Sequence, residues 1–338
     1  MPSPRARRTR PLRIATYNIL VGGPRREELI TAVLSRIDAD VIALQEVCNL
    51  QFLGELACRL GMQTMVGEPS DPLAGCHIAI LTRLPVRSWQ NRQHVGRMLR
   101  SHLHCDIETG WATLPVIGVH NVHLAARFGE RAKGEARRMR ELTAVLDGIG
   151  QAPPLPHVIL GDFNSVAPGD DVAATRFFRK LNELRRRGLV TVLPDGSIGP
   201  LPRSEADDNA IDAAWRAAGI DPRLDVGVPL LPRIVGPLTV NLPVSHALDR
   251  FLGRFIERWS IERLQRLGYV DCFRRIHPRA HGHTCATWLP AARVDYVFAS
   301  PDLADTVTAC DVVGDRRWHD RDAAVASDHF PVVADFGS

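Results

Sequence analysis

Val158-Ile159-Leu160-Gly161-Asp162-Phe163-Asn164 is the stretch that decides the fold. Val158, Ile159 and Leu160 make the short apolar run expected of a buried central strand. Gly161 punctuates the run, and Asp162 and Asn164 follow at once. A carboxylate set against a core strand is costly unless it is paired or bound to a metal.

The same arrangement recurs on either side. Glu46 follows the apolar Val41–Gln45, His123 follows Val116–Val122, and Asn18 lies toward the end of the alternating, strand-like Arg13–Leu20. Asp295 sits within Arg293–Ala299, and Asp328-His329 precedes the strand-like Pro331–Asp335. A single polar strand edge is easily a helix cap or a structural ion pair. Six segments repeating the pattern are hard to explain that way. If these strand ends converge, carboxylates, amides and imidazoles cluster at one rim.

Helical periods separate the strands. Leu29, Ile30, Val33, Leu34 and Ile37 recur at helical spacing through Arg25–Ile37. Asn49 can cap a second helix bearing Phe52, Leu53, Leu56 and Leu60, and Gly61 can end it. Residues 130–147 and Phe177–Arg187 read as further helices, and Ser245–Leu267 as one long one. His77–Leu81, Leu103–Ile107, Trp111–Leu114 and Thr306–Val313 read as the remaining strands. The predicted fold is a four-layer α/β sandwich, two packed mixed β-sheets flanked by helices.

The chain of 338 residues carries 42 Lys+Arg against 38 Asp+Glu, a net charge of +4, and is 45% hydrophobic. Such a composition can offset its ordering entropy, which excludes disorder as the main state. No apolar run approaches the ~18 residues of a membrane span. Arginines 5, 7, 8, 10 and 13 load the N-terminus, and residues 1–11 read as a solvated basic tail. Residues 12–338 read as one domain with a Pro-rich insertion at about 194–243, where eight prolines fall without a clean period. Arg137-Arg138-x-Arg140 and Arg185-Arg186-Arg187 read as solvated helix faces. The seven cysteines are scattered with no C-x-x-C, which predicts reduced thiols and a cytoplasmic protein.

Hard oxygen and amide donors without thiolates favour Mg²⁺ or Mn²⁺ over Zn²⁺. That donor set suits phosphoryl chemistry, with the ion polarising a phosphate oxygen while His and Asp handle protons. His102-Leu103-His104-Cys105 and His281-Gly282-His283-Thr284-Cys285 invite a zinc reading, but neither brings the second ligand pair of a structural zinc site.

Read in order, Tyr17-Asn18-Ile19, Leu44-Gln45-Glu46-Val47, Asn121-Val122-His123-Leu124, Gly161-Asp162-Phe163-Asn164, Arg293-Val294-Asp295-Tyr296 and Ser327-Asp328-His329-Phe330-Pro331-Val332 resemble the endonuclease/exonuclease/phosphatase superfamily. The resemblance covers roughly residues 12–165 and 265–336. It implies that Glu46 is the principal metal ligand with Asn18 beside it, and that Asp328 is a further metal or water ligand. Asp162 and Asn164 would position the attacking water and the phosphate. Asp295 and His329 would form a hydrogen-bonded dyad, and His123 would contact the phosphate. Whether Asp162 or His329 is the general base is left open by the resemblance. Leu20 stands where some apurinic endonucleases place an acid, which disfavours abasic-site specificity.

The implied activity is Mg²⁺-dependent hydrolysis of a phosphodiester or phosphomonoester. The mild basic excess leans toward a nuclease acting on DNA or RNA. The apolar Val226–Val244 stretch leans toward a lipid or small-molecule phosphodiesterase. The rival from another class is a non-catalytic binding module on the same fold, which the intact set of acids and histidines opposes.

Overall fold

The computed structural model describes residues 10–126, 132–192, 198–200, 208–224 and 243–337. Two six-stranded mixed sheets carry the fold. The first contains β1 (Leu12–Asn18), β2 (Val41–Val47), β3 (Gln63–Gly67) and β4 (His77–Thr82). The second contains β5 (Val86–Arg92), β6 (His102–Glu108), β7 (Val116–His123) and β8 (His157–Asp162). A separate hairpin pairs β9 (Val190–Val192) with β10 (Ile198–Pro200). Next, β11 (Val270–Asp271) and β12 (Asp295–Ala299) extend the second sheet, while β13 (Val307–Val312) and β14 (Val332–Phe336) extend the first. The strand orders are β13-β14-β1-β2-β4-β3 and β11-β12-β8-β7-β6-β5.

Each sheet is built around one parallel pair, β1 with β2 and β7 with β8. Beside each pair lies a late strand running the other way, β14 next to β1 and β12 next to β8. The inner faces share one core, in which Ala15, Leu44 and Ile80 of the first sheet join Val119, Leu160 and Val297 of the second. Alternation along β8 sends Leu160 into this core and Ile159 to the opposite face. There Ile159, Val122 and Phe298 meet Leu142 and Val145 of helix Ala132–Gly150 and Ile261 and Leu264 of helix Trp259–Arg266. Helices Glu27–Ile37 and Leu50–Leu60 send Val33, Leu34, Leu53 and Leu56 into the main core with the first sheet. The expected sandwich is therefore observed.

A polar bridge crosses that core. The Asn121 amide donates to the carbonyls of Leu44 and Ala79 at 3.0 and 2.8 Å and accepts from Gln45 Nε2 at 2.8 Å. Each partner belongs to the other sheet, so the bridge fixes how the sheets lie against each other.

Several expectations need correction. Trp111–Leu114 is a loop, because Trp111 N donates to Thr109 Oγ1 and that hydroxyl donates to Leu114 O, closing a turn where a strand would open. The single helix Ser245–Leu267 is two, His246–Gly253 and Trp259–Arg266. Between them Arg258 turns its guanidinium onto the carbonyls of Ala167, Asp170 and Gly253. Arg10, which is exposed, pairs with Asp40, and the half-buried Arg13 pairs with Asp335. Arg138 is buried against Glu135. Cys48 and Cys76 form a disulfide, against the expectation of seven reduced thiols. The rest of the 1–11 tail and much of the 194–243 insertion lie outside the described residues. Among the described residues no helix is long and apolar enough to cross a membrane.

Candidate active site

The rim of the two sheets is built by strand direction. The parallel strands β1, β2, β7 and β8 deliver Asn18, Glu46, His123 and Asp162 at or near their C-terminal ends. The antiparallel strands deliver from the opposite end, with Asp295 opening β12 and Asp328 and His329 lying just before β14. His123 pairs in register with Asp162, and Asp162 with Asp295, so three rim residues stand side by side on adjacent strands.

The local backbone is shaped for this. Gly161 takes a φ of +139°, and a Cβ there would lie 1.9 Å from the Val122 carbonyl oxygen, so only glycine lets β8 pass β7 one residue before Asp162. A bulge in the pairing of β2 with β4 falls at Gln45 and Glu46, and Glu46 has a φ of +59°. Bulges commonly re-aim a side chain next to an active site. Asn164 is likewise left-handed, with a φ of +49°. The Glu135 carboxylate ties the chain after Asn164 to a flanking helix, accepting from Ser165 Oγ and from the main-chain N–H of Ser260.

All eight residues singled out from the sequence meet at this rim. Asn18 Nδ2 donates to Glu46 Oε1 at 3.2 Å and to Asp162 Oδ2 at 3.0 Å. His123 Nε2 lies 3.3 Å from Asp162 Oδ2 and 3.9 Å from Glu46 Oε1. Asn164 N donates to Asp162 Oδ1, which turns Oδ2 toward the cluster. His329 Nδ1 donates to Asp295 Oδ2 at 2.8 Å, and its Nε2 lies 3.9 Å from Asp162 Oδ2. Asp328 and His329 have ligand atoms within 4.8 Å of each other and of Cys285. Asp295 does not pair with Arg293, whose guanidinium is buried against Asp170 and Asp271.

Burial sets the protonation of this cluster. It pushes the Asp162 carboxyl up to about 7 and the Asp328 carboxyl up to about 6. Burial alone would lower His329, but Asp295, then Cys285, Asp328 and Asp162, outweigh it and hold the ring charged. His123 is pushed well below the ordinary histidine range by burial, with Arg100 and His329 adding to it, and is neutral. Neither of its ring nitrogens has a hydrogen-bond partner.

Supporting residues escaped sequence reasoning. Buried Arg26 donates to the carbonyls of Ile19, Leu20 and Ala326, tying the end of β1 to the approach to Asp328. Ser327 Oγ donates to Asn18 O at 2.7 Å. Thr284 Oγ1 accepts from the N–H groups of Val294 and Asp295. Their roles depend on carbonyls distant in sequence, so no local spacing announces them. Of the two histidine pairs weighed as zinc motifs, the first is spent within the second sheet, with His102 on His120 and His104 on Asp106.

Comparison with known proteins identifies the family. The Endonuclease/Exonuclease/phosphatase family matches residues 15–329. Among solved structures, an AP endonuclease from Archaeoglobus fulgidus shares 16% identity at a TM-score of 0.55, covering 97% of this chain and 100% of that one. A 3' phosphatase (NExo) from Neisseria, bound to product DNA hairpin, shares 16% identity at a TM-score of 0.57, again covering 97% and 100%. An endonuclease/exonuclease/phosphatase from Beutenbergia cavernae shares 19% identity at a TM-score of 0.54, covering 97% and 72%. No curated protein matches in sequence. With nearly its whole length matched, this chain belongs to the Endonuclease/Exonuclease/phosphatase family and is a hydrolase of phosphoric esters.

Proposed function

We propose that the protein hydrolyses a phosphodiester of nucleic acid by direct water attack, with Mg²⁺ or Mn²⁺ as cofactor. The observation that carries this reading is the row His123, Asp162 and Asp295 across β7, β8 and β12, closed by His329 from the segment leading into β14. The donor set fits a hard divalent ion. Glu46 and Asp328 form no ion pair with Lys or Arg among the described residues, and neighbouring Arg26 turns both its terminal nitrogens onto carbonyls. Glu46, Asp328 and Asn18 would hold the ion, which when bound neutralises charge on the phosphate oxygens.

The protein's own residues supply the rest. His123, neutral and with neither ring nitrogen in a hydrogen bond, would donate its ring N–H to a phosphate oxygen. Asp162 is a carboxyl poised near neutrality, fit to accept a proton from the attacking water. Asn164 fixes the orientation of that carboxylate. His329, kept charged by Asp295, stabilises negative charge developing on the phosphoryl group.

A second reading, a lipid or small-molecule phosphodiester, is favoured by the exposed Phe251, Phe255 and Trp259. The test is a panel of plasmid DNA, abasic duplex, RNA, sphingomyelin and phosphoinositides, with bis(p-nitrophenyl) phosphate as the minimal ester, each with and without Mg²⁺ or Mn²⁺. Metal-dependent cleavage of nucleic acid supports the proposal. Preference for a lipid substrate would move the protein to the second reading. Absence of turnover with every substrate and metal would leave a binding module.

A further inference from the structure

We propose that Asp171, His281 and His283 form a second metal site, apart from the catalytic rim, that takes a transition ion of the Zn²⁺ class. Their ligand atoms all lie within 4.8 Å of one another. His281 Nδ1 is 2.6 Å from Asp171 Oδ2, and His283 Nε2 is 3.9 Å from Asp171 Oδ1. Zn–N and Zn–O bonds of about 2.0–2.2 Å in a tetrahedron put neighbouring ligand atoms about 3.3 Å apart, between those two distances.

His283 makes the case. Its Nδ1 meets the Pro290 carbonyl oxygen at 3.2 Å. A carbonyl only accepts, so Nδ1 carries the proton and Nε2 presents a bare lone pair. That Nε2 is buried, makes no hydrogen bond of ordinary geometry and faces Asp171, main chain and carboxylate alike. A ring tied to a carbonyl on one side and open on the other has the arrangement of a metal-bound histidine with its outer-shell partner. A plain ion pair between His281 and Asp171 would leave the bare Nε2 of His283 unexplained.

The donor set decides the class of ion. Two imidazole nitrogens and one carboxylate suit Zn²⁺ and its neighbours, whereas Mg²⁺ and Ca²⁺ want mostly oxygen. His281 is exposed, so water can fill the fourth position. The sequence spacing His281-x-His283 supplies only two ligands, and the third comes from Asp171, 110 residues earlier. Asp171 is itself well placed, because the preceding Asp170 is buried against Arg274 and Arg293.

An ion here would also serve the rim. His283 is followed by Thr284, whose hydroxyl accepts from the N–H of Asp295. Fastening 281–283 to Asp171 therefore steadies the start of β12.

The test is a Zn²⁺ titration of the tag-free full chain against a competing indicator, with Mg²⁺ in excess to occupy the rim. Cobalt absorption in the visible range is the second readout. We expect one tightly held Zn²⁺ in wild type and in Glu46→Gln. His281→Ala, on an exposed residue, and Asp171→Asn should each weaken it at least 10-fold, since losing even an outer-shell partner costs about 10–100-fold. The cobalt bands of wild type should disappear in His281→Ala. Equal Zn²⁺ affinity in wild type and both variants would overturn the proposal. So would wild-type binding weaker than about 0.1 mM, some 5 kcal/mol.

Discussion

Nε2 of His123 stands 3.3 Å from Oδ2 of Asp162, at positions that β7 and β8 pair in register. A neutral ring thus faces a carboxyl that burial has raised to about 7. The native state holds the Asp162 proton to a higher pH than the unfolded chain does. Its contribution to stability is full below the ordinary value of 3.8 and is lost as pH rises toward about 7. Asp328, raised to about 6, acts in the same sense. Buried neutral His102, His120 and His123 oppose it below their ordinary 6.5, so the informative comparison is with Asp162→Asn. Scanning calorimetry without metal should show Tm falling from pH 5 to pH 8 more in wild type than in that variant. Mg²⁺ should raise Tm more at pH 8 than at pH 5. Equal increments at the two pH values would mean that the ion does not meet this carboxylate cluster.

His329→Ala should lower turnover of a minimal phosphodiester by about 10²–10⁴-fold. Asp295→Asn should reproduce part of that loss, because an amide can hold the ring without supplying charge to keep it protonated. The double variant should lose little more than His329→Ala alone, as expected of residues acting as a unit. Additive losses in kcat would show that the dyad does not function as one.

Glu46→Gln removes one ligand charge with almost no change of shape. It should raise the Mg²⁺ concentration needed for half-maximal activity by at least about 10-fold while leaving the circular dichroism spectrum and Tm without metal near wild type. A superimposable Mg²⁺ titration would dismiss Glu46 as the principal ligand.

Helix Ala174–Arg186 and helix Asp208–Ala217 share a satellite core, in which Leu181, Leu184, Val190, Trp215 and Ile220 pack together, with Phe177 and Trp288 against it. Trp288 lies three residues after Cys285, whose ligand atom is within reach of His329. Replacing residues 194–243 with a short Gly-Ser linker should therefore change preference among natural substrates more than it changes turnover of bis(p-nitrophenyl) phosphate. Parallel assays of both on the folded variant decide the matter. Equal losses would show that the segment supports the fold and selects nothing.

What could be read in the sequence follows from how local each cause is. The apolar runs 41–45 and 158–160 announce buried strands, and Asn49 and Gly61 announce a helix start and stop, because each acts within a few residues. Asn49 Oδ1 indeed accepts from Phe52 N, and Gly61 is left-handed. The rim residues were legible because each breaks an apolar pattern at a strand edge. β3 and the exposed β5 passed unseen, since Gln63–Gly67 and Val86–Arg92 lack a strong alternation. The break at 254–258 was hidden because it depends on Arg258 reaching carbonyls some ninety residues earlier. Asp171 was invisible as a partner of His281 for the same reason.

Half of the rim hangs from each sheet. Asn18 and Glu46 belong to the first, with Asp328 and His329 on the segment leading into it, and His123, Asp162, Asn164 and Asp295 belong to the second or the loop leaving it. Each sheet keeps its own ladder of hydrogen bonds, so neither needs the other to remain a sheet. The contact of His329 with Asp295 lies at the seam, where Phe330 N donates to Thr284 O and Thr287 N to Asp328 O, and a slip of an ångström or two there would break it. Turnover is thus a vernier for the alignment of two plates. As the protein is loosened by heat or denaturant, activity should fade while the far-ultraviolet spectrum still reports intact strands.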